Sequence, residues 1–305
     1  MATNRGKFLA GRLVLILTCL AWVAQAQRTR DFSKIEFETI QVADGLYLLS
    51  GDGRNITVFA GSDGVLLVDS QFAPLHQKIM DAVAKISPQP LRYLINTHLH
   101  GDHTDGNELM GKAGATIIAH DNLRKGLVSQ QSSPNPNSRI PTLAKEGIPS
   151  VTYSDHMTLH FNGEEIYIVH PAPGHTDGDS IIYFRRANAI QAGDIPSSLR
   201  YPTYDVNNGG SVNGMIAAAE LLLEMANPDT KIMSPHNPPL ATVKDVQEQR
   251  DMMIVVRDRV LSGIRAGKTL EQIIASKPTA EFDERRKVGR TSEQFVTELY
   301  HDLSR

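Results

Sequence analysis

Four side chains in six consecutive residues, His98, His100, Asp102 and His103 of the segment His98-Leu99-His100-Gly101-Asp102-His103, hold the densest potential chemistry in the sequence. Each neutral imidazole offers a nitrogen lone pair and the carboxylate an oxygen, a donor set that suits a divalent metal ion. His98 and His100, two apart in an extended loop, can point the same way and grip one ion. Asp102 and His103 can turn toward a second. The H-x-H-x-D-H spacing is too specific to be read as a chance cluster of surface histidines.

A catalytic zinc takes three protein ligands and keeps a fourth position open for water, so this segment alone leaves both ions undercoordinated. Three later segments offer further donors: Pro173-Gly174-His175-Thr176-Asp177-Gly178-Asp179-Ser180, Gln191-Ala192-Gly193-Asp194 and Met233-Ser234-Pro235-His236. Cys19 is the sole cysteine and lies near the N-terminus. Any metal elsewhere must be held by His, Asp or Glu.

The elements around these residues explain how they can meet. Short apolar runs at 35–42, 46–50, 56–60 and 65–69, separated by Asp/Gly turns, predict an antiparallel meander. From Leu75 the spacing of Ile79, Val83 and Ile86 predicts a helix, which Pro88 and Pro90 stop before a buried strand at 91–96. The histidine segment then occupies a strand-to-helix loop, and Asp105 with Glu108 predicts a capping box that opens the next short helix. A strand at 116–119 and a short helix follow, and the Ser/Pro/Asn-rich stretch 130–149 reads as a long surface loop.

The second half repeats the plan, with strands at 151–161, 165–170, 181–184 and 189–191, a helix at 212–225, a strand at 231–234 and helices from 242 to 305. Strands followed by helices, twice over, predict an αββα sandwich of the α/β class: two mixed sheets face to face with helices outside. His175, Asp194 and His236 each fall just after a predicted strand, and strand-end loops converge on one rim of such a sandwich.

The chain has 305 residues, 41% of them hydrophobic, enough for a substantial core. A formal net charge of −3 and no long basic run give no electrostatic reason to expect a nucleic-acid partner, which leaves small molecules as the substrate class. Arg5, Lys7 and Arg12 precede an apolar run from Leu13 to Val23, and Ala24-Gln25-Ala26 supplies small residues before Gln27. This pattern predicts a signal peptide over 1–26, an exported, periplasmic or secreted protein, and no membrane anchor after cleavage. The run is shorter than the ~20 residues that span a bilayer. Residues 27–305 read as one domain with a core over about 35–240, and the mature chain keeps no cysteine for a disulfide.

The order HLHGDH, PGHTDGDS, AGD and SPH resembles the metallo-β-lactamase-fold superfamily from about Ile35 to about His236. Position by position, the resemblance implies that His98, His100 and His175 hold one Zn²⁺, that Asp102, His103 and His236 hold a second, and that Asp194 bridges them. Asp194 stands where the cysteine-using β-lactamases have a cysteine, and the full His-and-Asp set is similar to glyoxalase II and the acyl-homoserine lactonases. Ser234-Pro235-His236 departs from the more usual glycine before the last histidine.

Two ions that share a water lower its pKa and hold it as a nucleophile, while Asp102 orients or relays the proton. Export argues against a glutathione thioester, so the expected reaction is opening of a cyclic amide, β-lactam hydrolysis foremost, with lactone, ester or thioester hydrolysis as the alternative. Iron or manganese suits the same ligands. An iron-loaded oxidoreductase or a non-catalytic accessory protein are the readings from other classes.

Asp69, closing the fourth strand, is a candidate acceptor for a ligand histidine. Arg200, Tyr201 and Tyr204, in the loop after Asp194, are candidates to bind a substrate carboxylate or stabilise an oxyanion. His120 and His170 end strands but belong to no paired spacing, and read as structural.

Overall fold

The structure, a computed structural model, describes residues 31–135, 138–197 and 199–305. The chain divides into a short unit, 1–35, and a body, Glu36–Arg305. The segment read as a signal peptide lies outside the described residues. Among the described residues no helix is long and apolar enough to cross a membrane.

The first sheet carries seven strands in chain order: β1 (Glu38–Ala43), β2 (Leu46–Gly51), β3 (Arg54–Gly61), β4 (Gly64–Val68), β5 (Leu91–Ile95), β6 (Thr116–His120) and β7 (Val151–Tyr153). The first four are antiparallel, joined by two-residue turns. At one of these turns Asp52 and Gly53 both have positive φ, the backbone that a tight hairpin requires. The strands from β4 to β7 are parallel, so each needs a crossover. These are α1 (His76–Ile86), then α2 (Gly101–Thr104) with α3 (Asn107–Lys112), then α4 (Asp121–Ser132).

The second sheet runs β13-β12-β11-β10-β9-β8, built from β8 (His156–Phe161), β9 (Glu164–Val169), β10 (Ile181–Phe184), β11 (Ala189–Gln191), β12 (Lys231–Met233) and β13 (Leu240–Ala241). Its one parallel pair, β11 with β12, is bridged by α5 (Val212–Met225). Helices α6 (Val243–Arg265), α7 (Leu270–Ala275) and α8 (Ser292–Leu303) follow.

The alternation of strand side chains places the core. Leu46, Leu48, Phe59, Leu66, Val68, Ile95 and Ile118 of the first sheet share one buried cluster with Ile166, Ile168, Ile182, Phe184 and Met233 of the second. The sheets therefore pack face to face, with Phe59 edge-on to Phe184 at 5.5 Å. Ile181, Ile190 and Ile232 point the other way, into a second cluster with residues of α5, α6 and α8. Helices α3 and α4 pack against β6. The result is an αββα sandwich of two mixed sheets. Each fully buried Leu or Ile of this core contributes about 1.5–3 kcal/mol relative to exposure.

Three sequence expectations change. The strand over 151–161 is two strands: the backbone turns at Ser154-Asp155, where Ser154 O accepts from His120 Nε2 and Asp155 O accepts from the His170 amide, each at 2.8 Å. That turn carries the chain from one sheet to the other. No capping box forms at Asp105: the N-cap of α3 is Gly106, which offers no side chain, Asp105 Oδ2 accepts from the Ala73 amide at 2.9 Å, and Glu108 pairs with Lys112. Capping boxes stand instead at Thr242, Thr269 and Thr291, opening α6, α7 and α8. The stretch 130–149 is more than a surface loop, because Leu143 and Ile148 are buried with Leu99, Leu123 and Leu127, and Arg139 O accepts from the Gly101 amide at 2.8 Å. It braces the histidine segment.

Gly214 shows how tightly the second half is built. A Cβ there would lie 1.5 Å from the Pro173 carbonyl oxygen, a backbone atom with nowhere to go. Its absence lets α5 seat directly against the turn that delivers His175. Gly214→Ala is therefore expected to lower stability by at least the ~1–3 kcal/mol typical of overpacking, read as a fall in denaturant midpoint. An unchanged midpoint would contradict the contact.

Candidate metal centre

All seven residues carrying the metal expectation lie in the connections that follow strands at one rim of the sandwich. His98 and His100 follow β5, Asp102 and His103 form the first turn of α2, His175 lies between β9 and β10, Asp194 follows β11, and His236 follows β12. Gly193 (φ 51°) makes the close approach possible: a Cβ there would meet Thr97 Cβ at 2.9 Å, so only glycine brings Asp194 against the His98 loop.

The side chains form three groups with ligand atoms within 4.8 Å of one another: His98, His100 and His175; His98, His103 and Asp194; and Asp102, His103 and His236. Asp194 sits between the outer two. Its Oδ2 is 3.4 Å from His175 Nε2, and its Oδ1 is 3.4 Å from His103 Nε2 and 3.1 Å from His236 Nε2. Among the described residues His98 Nε2, His103 Nε2 and Asp194 Oδ1 are buried and make no well-aligned hydrogen bond, Asp194 Oδ1 facing the His103 and His236 rings without one. Buried polar atoms are rarely left so. Their convergence on one point fits a cation, and the His/Asp donor set fits zinc.

The opposite nitrogens of His98, His100, His103 and His175 are tied down, which fixes their tautomers and aims the free ones inward. His103 Nδ1 lies 2.8 Å from Asp69 Oδ2, and Asp69 also accepts from the Thr97 amide and hydroxyl at 2.8 Å each. Asp69 adopts φ 65°, a left-handed conformation that Asp tolerates better than most residues. His100 Nε2 lies 2.8 Å from Asp205 Oδ2, leaving Nδ1 facing His175 Nε2 at 3.0 Å. His175 Nδ1 donates to Thr203 O at 2.7 Å, and the His175 amide donates to the buried Asp179 carboxylate at 2.7 Å. The His236 loop, despite its Ser-Pro sequence, is held by Asn55: the Asn55 amide donates to Pro235 O and its Nδ2 to Ser234 O, each at 2.8 Å.

Burial and neighbours set opposite charge states on the two sides. Burial pushes His98 well below the ordinary imidazole value, and it takes His100 down to about 4 although Asp205 opposes it. Burial works against charge on His103 too, but Asp69, Asp102 and Asp194 outweigh it and raise His103 well above its usual value. Burial likewise opposes the Asp102 charge, yet His103, Arg54 and His236 together bring its carboxyl down to about 2.

In the metal-free protein burial therefore favours neutral His98 and His100, while Asp69, Asp102 and Asp194 favour a charged His103. Adding zinc in weak buffer should displace the His103 proton in addition to the one given up by a metal-bound water, so the parent protein should acidify the medium by more than Asp69→Asn does, followed with an indicator dye. Equal acidification by the two would refute this charge assignment.

The loop residues proposed for substrate divide. A cavity of about 240 Å³ opens beside the cluster, lined in part by Arg54, Asp102, Arg139, Asp194, Arg200, Tyr201 and His236. Arg200 borders it with a buried Nε that has no partner. Tyr201 borders it too but is 2% exposed, with its hydroxyl donating to Asp283 Oδ1 at 2.5 Å. Tyr204 is buried in the cluster under α5 and is not among the lining residues. A larger open groove of about 540 Å³, around His160, Glu165 and Arg185, contains none of the cluster, and its Arg185 is already paired with Glu165. The smaller cavity carries the chemistry.

Sequence reasoning missed Arg54, Arg139, Thr203 and Asp205. Arg54 Nε lies 3.1 Å from Asp102 Oδ2, and its guanidinium stacks 5.0 Å from the Phe72 ring centre. A pair such as His100 and Asp205, 105 residues apart, has no spacing signature. His120 and His170 stack at 3.7 Å, outside every ligand group.

Comparison with known proteins bears on this geometry. A family model described as the metallo-beta-lactamase superfamily matches residues 49–254. The linear primary-alkylsulfatase of Pseudomonas sp. (strain ATCC 19151) is 20% identical over 251 residues, 70% of this chain and 47% of that protein. The hydroxyacylglutathione hydrolase of Pelagibacter ubique (strain HTCC1062) is 33% identical over 110 residues, 36% of this chain and 38% of the relative. The chain thus spans under half the length of either. A solved metallo-beta-lactamase from Pontibacter korlensis superposes with a TM-score of 0.60 at 13% identity, covering 72% of this chain and 99% of that one, a likeness of fold.

Proposed function

This chain belongs to the metallo-beta-lactamase superfamily, and on that premise we propose that it is an exported dinuclear zinc hydrolase of small anionic substrates that opens a cyclic amide, a β-lactam foremost. One observation carries the reading: buried, unpartnered donor atoms of His98, His103 and Asp194 meet at the edge of a cavity that Arg139 and Arg200 also line.

His98, His100 and His175 would hold one ion and Asp102, His103 and His236 the other, with Asp194 between them. When bound, such ions supply a water ionised near neutrality and an electrophile for a substrate oxygen. The rest falls to the chain. Arg54 holds the Asp102 carboxylate in place. Asp102, which lines the cavity, takes and returns the proton of the reaction.

The cavity is smaller than the ~300–1,000 Å³ common for ligand pockets, which favours a compact substrate. Arg139 and Arg200 form no ion pair among the described residues and suit an anionic group beside the scissile bond. A β-lactam carries a carboxylate there; a lactone, ester or thioester with a pendant acid is the alternative. The same arginines, with the alkylsulfatase relative, favour sulfate-ester hydrolysis as a second reading.

The test is metal content and turnover on one preparation, against β-lactams, lactones, thioesters and alkyl sulfates. Two zinc ions per chain and hydrolysis of one class, lost on chelation, are expected. A fully loaded protein that leaves the whole panel intact would overturn the reading.

A further inference from the structure

The two histidines that complete the first triad with His98 share a single anchor. His175 Nδ1 meets Thr203 O at 2.7 Å, His100 Nε2 meets Asp205 Oδ2 at 2.8 Å, and the Asp205 amide donates to His175 O at 2.7 Å. Three consecutive residues, Thr203 to Asp205, therefore decide which nitrogen of each ring is free. Asp205 is itself fixed, since its Oδ1 accepts from the Asn207 and Asn208 amides and its Oδ2 from Asn208 Nδ2.

The residues leading into this stretch are held from the far end of the chain. Arg286, 5% exposed, donates from Nη1 to Ser197 O at 2.8 Å and to Arg200 O at 2.5 Å. Arg290 Nη1 donates to Pro202 O at 2.9 Å. Tyr201 gives its hydroxyl to Asp283 and stacks on Phe295 of α8, with ring centres 4.9 Å apart. These contacts fall on the residues that lead into Thr203.

The second triad is positioned differently. His103 is tied to Asp69, Asp102 to Arg54, and the His236 loop to Asn55, all from the first sheet or its strand ends. We infer that the segment Asp283–Phe295 is a clamp that sets metal affinity at the His98/His100/His175 position, through Thr203 and Asp205, and leaves the Asp102/His103/His236 position to the first sheet. Arg286 and Arg290 are positioning residues for one metal and not the other. An imidazole free to rotate binds metal more weakly, and loss of such outer partners typically costs about 10–100-fold in affinity.

The experiment is a competition titration of the full chain with zinc against a chromophoric chelator, resolving two affinities, repeated with cobalt(II) to follow each position by its absorption spectrum. For R286M/R290M one affinity should fall about 10–100-fold while the other stays within error. Asp69→Asn should weaken the opposite one. Hydrogen exchange of the 199–208 amides should rise in R286M/R290M, and Arg286→Lys, which keeps a donor for the two carbonyls, should restore much of the loss. Tyr201→Phe, which removes the hydroxyl bonded to Asp283 and Thr279 and keeps the ring on Phe295, gives a milder shift of the same site should the double variant not fold. Equal weakening of both affinities, or no change in either, overturns the inference. Hydrolysis is not a readout, so the result stands apart from the choice of substrate.

Discussion

Asp194→Ala should abolish hydrolysis and leave the protein able to hold at most one zinc ion. The Asp194 carboxylate lies within 3.4 Å of His175 on one side and of His103 and His236 on the other. In the proposed two-ion centre its removal would take a ligand from both ions at once and leave their mutual repulsion uncompensated. The loss in kcat/KM should exceed the ~100-fold upper range found when an outer partner is lost. Metal analysis after dialysis gives the stoichiometry, and turnover of the substrate identified for the parent protein gives the rate. Near-native circular dichroism would show that the fold survives, as expected of a residue at a rim. Retention of two tightly bound ions would rule out the bridging role.

Asp69→Asn is a smaller change with a nearly comparable effect. Asp69 accepts three hydrogen bonds, two from Thr97 and one from His103. Asparagine keeps the left-handed backbone that Asp69 adopts and can still accept from the Thr97 amide. Its NH₂ cannot accept, so the oxygen that draws the proton to His103 Nδ1 is lost. The imidazole is then free to carry its proton on Nε2, the atom needed for metal. Affinity at the Asp102/His103/His236 position should fall about 10–100-fold, and the number of protons released on zinc binding should drop below that of the parent protein because His103 loses the neighbour that charges it most. Unchanged affinity in a folded variant would remove Asp69 from the account.

The sequence is most legible where chemistry is local. HLHGDH is read directly because all four donors sit in one loop. The later donors are found because each follows a strand, and strand ends in a two-sheet sandwich share a rim. The first meander is equally plain, since its Asp/Gly turns leave no other backbone. Legibility fails where the cause is tertiary. Ser154-Asp155 carries no Gly or Pro, and only its pairing with His120 and His170 turns the backbone there. Asp105 and Glu108 have the spacing of a capping box but find Ala73 and Lys112 instead. In the loop after Asp194, attention goes to the large polar residues Arg200, Tyr201 and Tyr204, whereas Asp205, the next residue, is the one bonded to a ligand ring. A carboxylate's role depends on what lies opposite, and here that is a histidine from the other half of the chain.

The division of donors between the two sheets bears on durability as well as on chemistry. His98, His100, Asp102 and His103 belong to loops of the first sheet, and His175, Asp194 and His236 to loops of the second. Ions seated among them would rivet the two layers at one rim, in a chain whose single cysteine, Cys19, leaves no disulfide to do so. A ligand that binds only the folded state stabilises it in proportion to the logarithm of its free concentration, about 4 kcal/mol at a thousandfold excess over Kd. That rivals the ~2–4 kcal/mol of a typical disulfide. It differs in being reversible: where metal is scarce the layers would lose their fastening, and the lifetime of the protein would track the supply of metal.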